Sequence, residues 1–194
     1  MTKALTLILL LGFGSSVYAQ DDFQRFFGSL DTLSAQFSQR VVQDDQQIGQ
    51  TTLGSLVFQR PQQLLWHTSA PVKQTLLVKD ARTWLIDYEL EQASLGKLES
   101  TEQTPLYWLS TPYQQLQNRP AYSHSHQGLD WYSTGIESEP NFGFKNGVLH
   151  LIGLTNTLGQ KLWLELTQVN TNTALDQQQF TLEIPADFDV IKSF

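Results

Sequence analysis

The 194-residue sequence contains no cysteine, which excludes disulfide bonds, thiol chemistry and a lipid-bearing cysteine. It also lacks any run of basic residues, and 19 acidic against 12 basic residues give a net charge of −7 at pH 7. An acidic chain of this kind is a poor partner for nucleic acid or for an anionic membrane surface. Without disulfides, stability must come from packing, to which 5 Trp, 6 Tyr and 11 Phe contribute.

Catalytic motifs are missing as well, since there is neither a Gly-x-Ser-x-Gly sequence nor a Gly-rich phosphate loop. The paired acids Asp21-Asp22 and Asp44-Asp45 lie in polar stretches, which is not the apolar setting that a catalytic acid needs. His124 and His126 share one face of a predicted strand, but no third metal ligand lies convincingly near them, which favours two solvent-facing histidines. The sequence therefore predicts a protein that is not an enzyme and that uses neither a metal nor another cofactor.

The N-terminus has the pattern of a secretory signal peptide over residues 1–19. Lys3 supplies the positive start, residues 4–14 the apolar run, and Val17-Tyr18-Ala19 the small-residue cleavage site. The run is too short to span a membrane, and no later stretch approaches the ~20 apolar residues that a spanning helix needs. We therefore expect one soluble domain over residues 20–194, exported to the periplasm.

Hydrophobic periodicity predicts a mainly β chain with small helices. Apolar residues spaced by three and four indicate an amphipathic helix over residues 22–30, and Thr104-Pro105 indicates the start of a second short helix. The rest of the chain predicts roughly a dozen short strands in antiparallel order, the last over residues 179–184. An incomplete barrel with its concave face covered by the helices fits this pattern, and a two-sheet sandwich is the alternative.

Two neighbouring strands carry the most informative pattern. Alternation places Leu56, Phe58 and Arg60 on one face of the first strand. It places Leu64 and Trp66 together on one face of the second strand. An arginine that ends an apolar row predicts a hinge or latch over a lipid-sized cavity, because such cavities are mostly apolar with few polar groups.

Several segments together resemble the LolA family of periplasmic lipoprotein carriers. They are Phe37-Ser38-Gln39-Arg40, the stretch from Gly54 through Arg60-Pro61 to Trp66, residues 87–92, and the helix that begins at Thr104-Pro105. The resemblance implies an incomplete antiparallel β-barrel with a helical lid, whose cavity accepts the acyl chains of a lipoprotein. It also implies that Arg60 latches the lid by donating to main-chain carbonyls of the lid helices, and its five N–H donors suit that role.

The resemblance further implies the partners of a carrier chaperone. These are acylated lipoproteins as cargo, an ATP-driven inner-membrane transporter as donor and an outer-membrane acceptor, and we expect the carrier to be a monomer. Leu64 stands where the family has an aromatic residue. Two other functions stay open: a periplasmic sensor or regulatory module on the same half-barrel and, more distantly, a lipid hydrolase. The residues predicted to contact lipid in the cavity or lid are Leu33, Phe37, Leu56, Phe58, Leu64, Trp66, Leu106 and Leu109, with Arg60 as the latch.

Overall fold

The computed structural model describes residues 21–43, 46–98, 105–156 and 159–192, so the predicted signal peptide and Thr104 lie outside the described residues. The helices are α1 (Asp22–Gly28) and α2 (Pro105–Ser110), and two 3₁₀ segments span Tyr113–Gln115 and Gln177–Phe180. The strands are β1 (Thr32–Gln43), β2 (Gln46–Gln59), β3 (Gln63–Ala70), β4 (Gln74–Lys79), β5 (Arg82–Asp87), β6 (Gln92–Lys97), β7 (Ala121–His126), β8 (Leu129–Ser133), β9 (Asn141–Lys145), β10 (Val148–Thr155), β11 (Lys161–Thr171) and β12 (Asp189–Lys192). No helix in these ranges has the length and apolarity needed to cross a membrane.

The twelve described strands form one sheet in the order β12-β6-β5-β4-β3-β2-β1-β11-β10-β9-β8-β7. Strands β7 and β12 lie at the two ends of this order, so the sheet is open. Neighbouring strands run antiparallel except β12, which pairs in parallel with β6. A mainly β fold with few helices on one open sheet is confirmed, whereas the expectation of purely antiparallel order is wrong at β12.

One face of the sheet, the inner face, packs against both helices. It carries the buried side chains of Leu33, Leu56 and Phe142. The first helix presents Phe23 and Phe27 to this face, and their rings lie 5.1 and 5.3 Å from the ring of Phe142. Because an isolated helix of seven residues is unstable in water, this packing is what holds α1 in place.

The opposite, outer face carries a second and smaller core on strands β4 to β6. Its buried residues Leu77, Ile86, Ala93 and Leu95 alternate with the inner-face positions of the same strands. The segment Gln177–Phe180 lies over this core, since Lys79 Nζ on the outer face donates to the carbonyl oxygen of Phe180 at 3.2 Å. The outer face at this end of the sheet is therefore apolar.

The predicted last strand over residues 179–184 is wrong. Asp176 accepts a hydrogen bond from the amide of Gln178 and starts a 3₁₀ turn there, and Phe180 is buried. The apolar side chains that suggested a strand instead anchor a segment that crosses the sheet. The chain then passes Pro185 and forms β12 at the edge of the sheet.

We expect Gly54→Ala to lower the free energy of unfolding by about 1–3 kcal/mol, the usual cost of overpacking. A Cβ at Gly54 would collide with the carbonyl oxygen of His67 and with the ring of Phe37. Gly153→Ala is the control, since the nearest atom to its added Cβ is 3.8 Å away. Urea unfolding of both variants measures the difference, and equal stabilities would contradict this packing of β2.

Burial, aided by nearby Lys73, lowers the pKa of His67, whose Nδ1 lies 2.9 Å from Thr75 Oγ1 on the outer face. The unfolded chain therefore binds a proton more readily at this residue, and stability should fall as pH drops through the unfolded pKa near 6.5. We expect the free energy of unfolding of His67→Gln to decrease less than that of the parent when the pH falls from about 7 to about 5. The exchange of exposed His126 by Gln is the control, and an unchanged slope in His67→Gln would refute the assignment.

Candidate functional site

A small cavity of about 20 Å³ lies between the two helices and the inner face. Every side chain that lines it is an aliphatic, aromatic or proline side chain. The lining residues are Phe27, Leu33, Leu56, Trp66, Trp108, Leu109, Pro140, Phe142, Leu149, Ile152, Leu164 and Leu166. An enclosure of this chemistry excludes water and can hold only apolar groups.

The structure brings all of the predicted lipid contacts into one cluster around this cavity. Leu33, Leu56, Trp66 and Leu109 line the cavity itself. The other four belong to the same buried cluster without lining the cavity, and these are Phe37, Phe58, Leu64 and Leu106. Trp66 is only partly buried, which places it at the margin of the cluster.

Strand pairing explains how the predicted residues meet. Leu56 pairs with Trp66, and Phe58 pairs with Leu64, so the four side chains share the inner face as their alternation predicts. The ring of Phe37 from β1 lies 4.2 Å from that of Trp66, centroid to centroid, and crosses over Gly54 on β2. A side chain at Gly54 would block this contact, so a glycine there allows two aromatic rings to meet.

Eight lining residues were not among the predicted contacts. The alternation of Leu164 and Leu166 with polar neighbours marks one face of β11, and this signal could have identified them. The position of β11 beside β1, more than a hundred residues away in the chain, could not be obtained from periodicity. The eight are Phe27, Trp108, Pro140, Phe142, Leu149, Ile152, Leu164 and Leu166.

Arg60, directly after β2, joins the two helices. Its Nε donates to the carbonyl oxygen of Leu109 at 3.1 Å, and its Nη2 donates to that of Phe27 at 2.9 Å. Each acceptor lies one residue before the end of its helix, where carbonyl groups lack partners within the helix. A single planar guanidinium thus binds the carboxyl ends of α1 and α2 at once, which a lysine could not do with the same geometry.

Burial lowers the pKa of the Arg60 guanidinium, and nearby Asp31 partly opposes this effect. The side chain stays protonated, because arginine is not deprotonated in proteins. The direction of the shift shows that the closed arrangement carries a desolvation cost for the charged group. The two carbonyl bonds compensate for part of that cost.

Trp108 of α2 lines the cavity and carries one polar atom, its indole Nε1. Its side chain is buried among Phe23, Phe142 and Tyr107, with ring centroids 6.3, 5.2 and 5.4 Å away. Its indole Nε1 has no hydrogen-bond partner among the described residues. A buried donor without a partner costs about 1–3 kcal/mol, so the closed arrangement also contains this unfavourable contribution.

The structure places His124 and His126 on the exposed edge strand β7, with ring centroids 6.4 Å apart. Within the described ranges no group of three or more potential metal-binding side chains occurs. Both histidines border an open groove of about 680 Å³ whose lining mixes polar and apolar residues, including Trp131, Asn141 and Trp163. None of the predicted lipid contacts borders this groove.

We expect Arg60→Gln to loosen both helices without disturbing the sheet. Each helix loses one hydrogen bond of about 1 kcal/mol, which should speed hydrogen exchange at the amides of α1 and α2 by about fivefold. Mass-spectrometric hydrogen exchange over α1, α2 and β2 measures this. Arg40→Gln is the control, since Arg40 pairs with Glu165 at 3.3 Å, away from the helices. Unchanged exchange in α2 would show that the two bonds do not restrain it.

Comparisons with known proteins agree on the relationship of this chain. Residues 28–183 match the family model described as outer membrane lipoprotein carrier protein LolA. A protein of Pseudomonas paraeruginosa, named outer-membrane lipoprotein carrier protein, is 31% identical over 95% of this chain and 96% of its own length. A protein of the same name from Idiomarina loihiensis is 25% identical over 97% of this chain and 98% of its own.

A solved structure shows a similar fold at low sequence identity. An uncharacterized conserved protein from Thermus thermophilus aligns with a TM-score of 0.55 and 11% identity, covering 89% of this chain and 95% of that one. At this identity the likeness concerns the fold alone. It agrees with the open sheet described above.

Proposed function

This chain belongs to the LolA family of outer-membrane lipoprotein carrier proteins, and on that premise we propose that it binds the acyl chains of lipoproteins and carries them between membranes. In this proposal the open sheet acts as an incomplete barrel, and α1 and α2 act as its lid. The observation that carries the proposal is the cavity between them, which is lined by apolar side chains throughout. An apolar enclosure between a sheet and movable helices matches the chemistry of a hydrocarbon chain.

The lid must open for cargo to enter. The closed cavity of about 20 Å³ holds little more than one water molecule, so an acyl chain cannot fit beneath the helices as they stand. Opening requires α1 and α2 to leave the inner face and requires Arg60 to release the carbonyls of Phe27 and Leu109. We therefore interpret the structure as the closed form, with Arg60 as the latch.

The energy of lipid transfer explains why a latch is useful. About 45 buried methylenes at ~0.8 kcal/mol each correspond to about 36 kcal/mol, well above the practical ceiling of about 20 kcal/mol for non-covalent affinity. A carrier that gained this whole energy could not release its cargo. Because opening breaks the Arg60 bonds and exposes apolar helix faces, part of the binding energy is offset and the loaded form stays able to pass its cargo on.

The proposal has defined partners and a defined place. Cargo arrives from an ATP-driven inner-membrane transporter and leaves to an outer-membrane acceptor, and the carrier acts in the periplasm as a monomer after cleavage near Ala19. The carrier itself performs no catalytic step. Purified protein that hydrolysed ATP would contradict this division of roles.

The direct test uses spheroplasts with a radiolabelled lipoprotein. We expect the mature chain, residues 20–194, to release the lipoprotein into the soluble fraction as a one-to-one complex that size-exclusion chromatography resolves. A folded protein that releases no lipoprotein would favour the sensor interpretation. Hydrolysis of ester substrates would favour the hydrolase.

We expect Arg60→Leu to accept lipoprotein but to transfer it to outer-membrane vesicles at least about tenfold more slowly, which corresponds to about 1.4 kcal/mol. Without the guanidinium the closed lid is less stable. Closing the lid therefore contributes less free energy to the release of the cargo. Arg40→Leu serves as the control, because Arg40 stacks over Trp163 and pairs with Glu165. Parental transfer by Arg60→Leu would exclude the latch.

A further inference from the structure

An apolar row on the inner face continues beyond the part that the helices cover. Across successive strands, directly paired residues point to the same face of a sheet. The pairing runs from Leu56 on β2 to Trp66 on β3, then to Leu76 on β4 and Leu85 on β5. It continues to Ser94 on β6 and Ile191 on β12. The row therefore links the cavity wall to the edge of the sheet.

Exposure along this row rises away from the helices. Leu56 is 3% exposed, whereas Leu85 is 40% and Ile191 is 48% exposed. Leu76 is half-buried between them, and Trp66 at the cavity margin is partly buried. We name the uncovered part of the row, Leu76, Leu85, Ser94 and Ile191, the open track.

Small residues lie along one side of the open track and polar residues along the other. The parallel row on one side includes Thr83 and Gly96, which offer no large side chain. The row on the other side pairs Gln74 with Asp87, whose side chains hydrogen-bond at 2.7 Å. Ser94 is the one polar residue of the track, and its hydroxyl oxygen accepts a hydrogen bond from Gln92 Nε2 at 3.3 Å.

The length of the row suits one acyl chain. Four strand spacings of about 4.8 Å separate Trp66 from Ile191, which gives about 19 Å. One leaflet of a bilayer, and hence one extended membrane acyl chain, spans about 15 Å, half of a ~30 Å hydrocarbon core. A single chain can thus lie along the track with its end at Trp66.

We propose that the open track is the first binding site for a lipoprotein acyl chain, occupied before α1 and α2 part. This inference rests on the proposed carrier function and adds the route of entry. The cavity is closed to lipid, but the track is accessible and meets the cavity at Trp66, which lines the cavity and pairs with Leu76 of the track. A chain lying there covers Leu85 and Ile191 and can advance under the helices as they separate.

Scattered exposed leucines are normal on protein surfaces, so the test needs a matched control. The track variant combines Leu85→Gln with Ile191→Thr. The control variant combines Leu90→Gln with Val148→Thr, at residues that are 71% and 45% exposed and lie outside the row. Both pairs replace exposed apolar side chains by polar ones, and threonine keeps a strand-compatible branch.

The experiment is stopped-flow mixing of each protein with a synthetic triacylated lipopeptide that carries a fluorophore on its peptide. We expect the track variant to associate about tenfold more slowly than the parent and the control variant to stay within about twofold. Urea unfolding of both checks that they are folded, and Leu85→Gln alone serves if the double variant is not.

Each outcome separates the two proposals. Equal association rates for parent and track variant, or an equal loss in both variants, would overturn the track while leaving the carrier function intact. A parent protein that binds no lipopeptide would refute the carrier function itself. A selective loss in the track variant supports the entry route.

Discussion

Two helices that are too short to be stable alone keep water away from the cavity on the apolar inner face of an open sheet. The rest of the structure depends on this cover. Helix α1 has seven residues and α2 has six, so neither gains enough from its own hydrogen bonds to persist in water. Their position comes from aromatic packing onto Phe142 and from the Arg60 bonds at their carboxyl ends. The cover of the cavity is thus a tertiary feature that is held by its contacts with the sheet.

Two unfavourable contributions lower the stability of the arrangement in which the helices cover the cavity. Arg60 has lost part of its hydration, as the direction of its pKa shift shows, and Trp108 has a buried N–H without a partner among the described residues. The lost hydration of Arg60 reduces the net gain from its two hydrogen bonds, and the unpaired donor of Trp108 costs about 1–3 kcal/mol. In the proposed function, these two contributions make it easier for the helices to open as a lid when hydrocarbon replaces the contacts that they lose.

Much of the site followed from the sequence, because strand alternation fixes which residues share a face. Alternation places Leu56, Phe58, Leu64 and Trp66 together, and the sequence itself shows the arginine at the end of their row. It could not show that β11 lies beside β1, since strand order depends on long-range pairing. It also mistook the segment around Phe180 for a strand, because an apolar residue among polar ones fits a strand and a crossing 3₁₀ turn equally. The same error hid the outer core, which this segment covers, and the parallel strand β12 that follows the segment.

The difference between the two ends of the inner face links fold to function. At the end of β9 to β11, aromatic residues of α1 pack over Phe142 and Phe144, and both side chains are buried. At the end of β4 to β6, the outer face has its own cover from Gln177–Phe180, so these strands stay folded even where their inner face is bare. The second core therefore permits Leu85 to remain exposed, because strands buried on one side do not require cover on the other. A sheet with only the inner core would need the helices to stabilise every strand, and it could not leave an apolar route open at its edge.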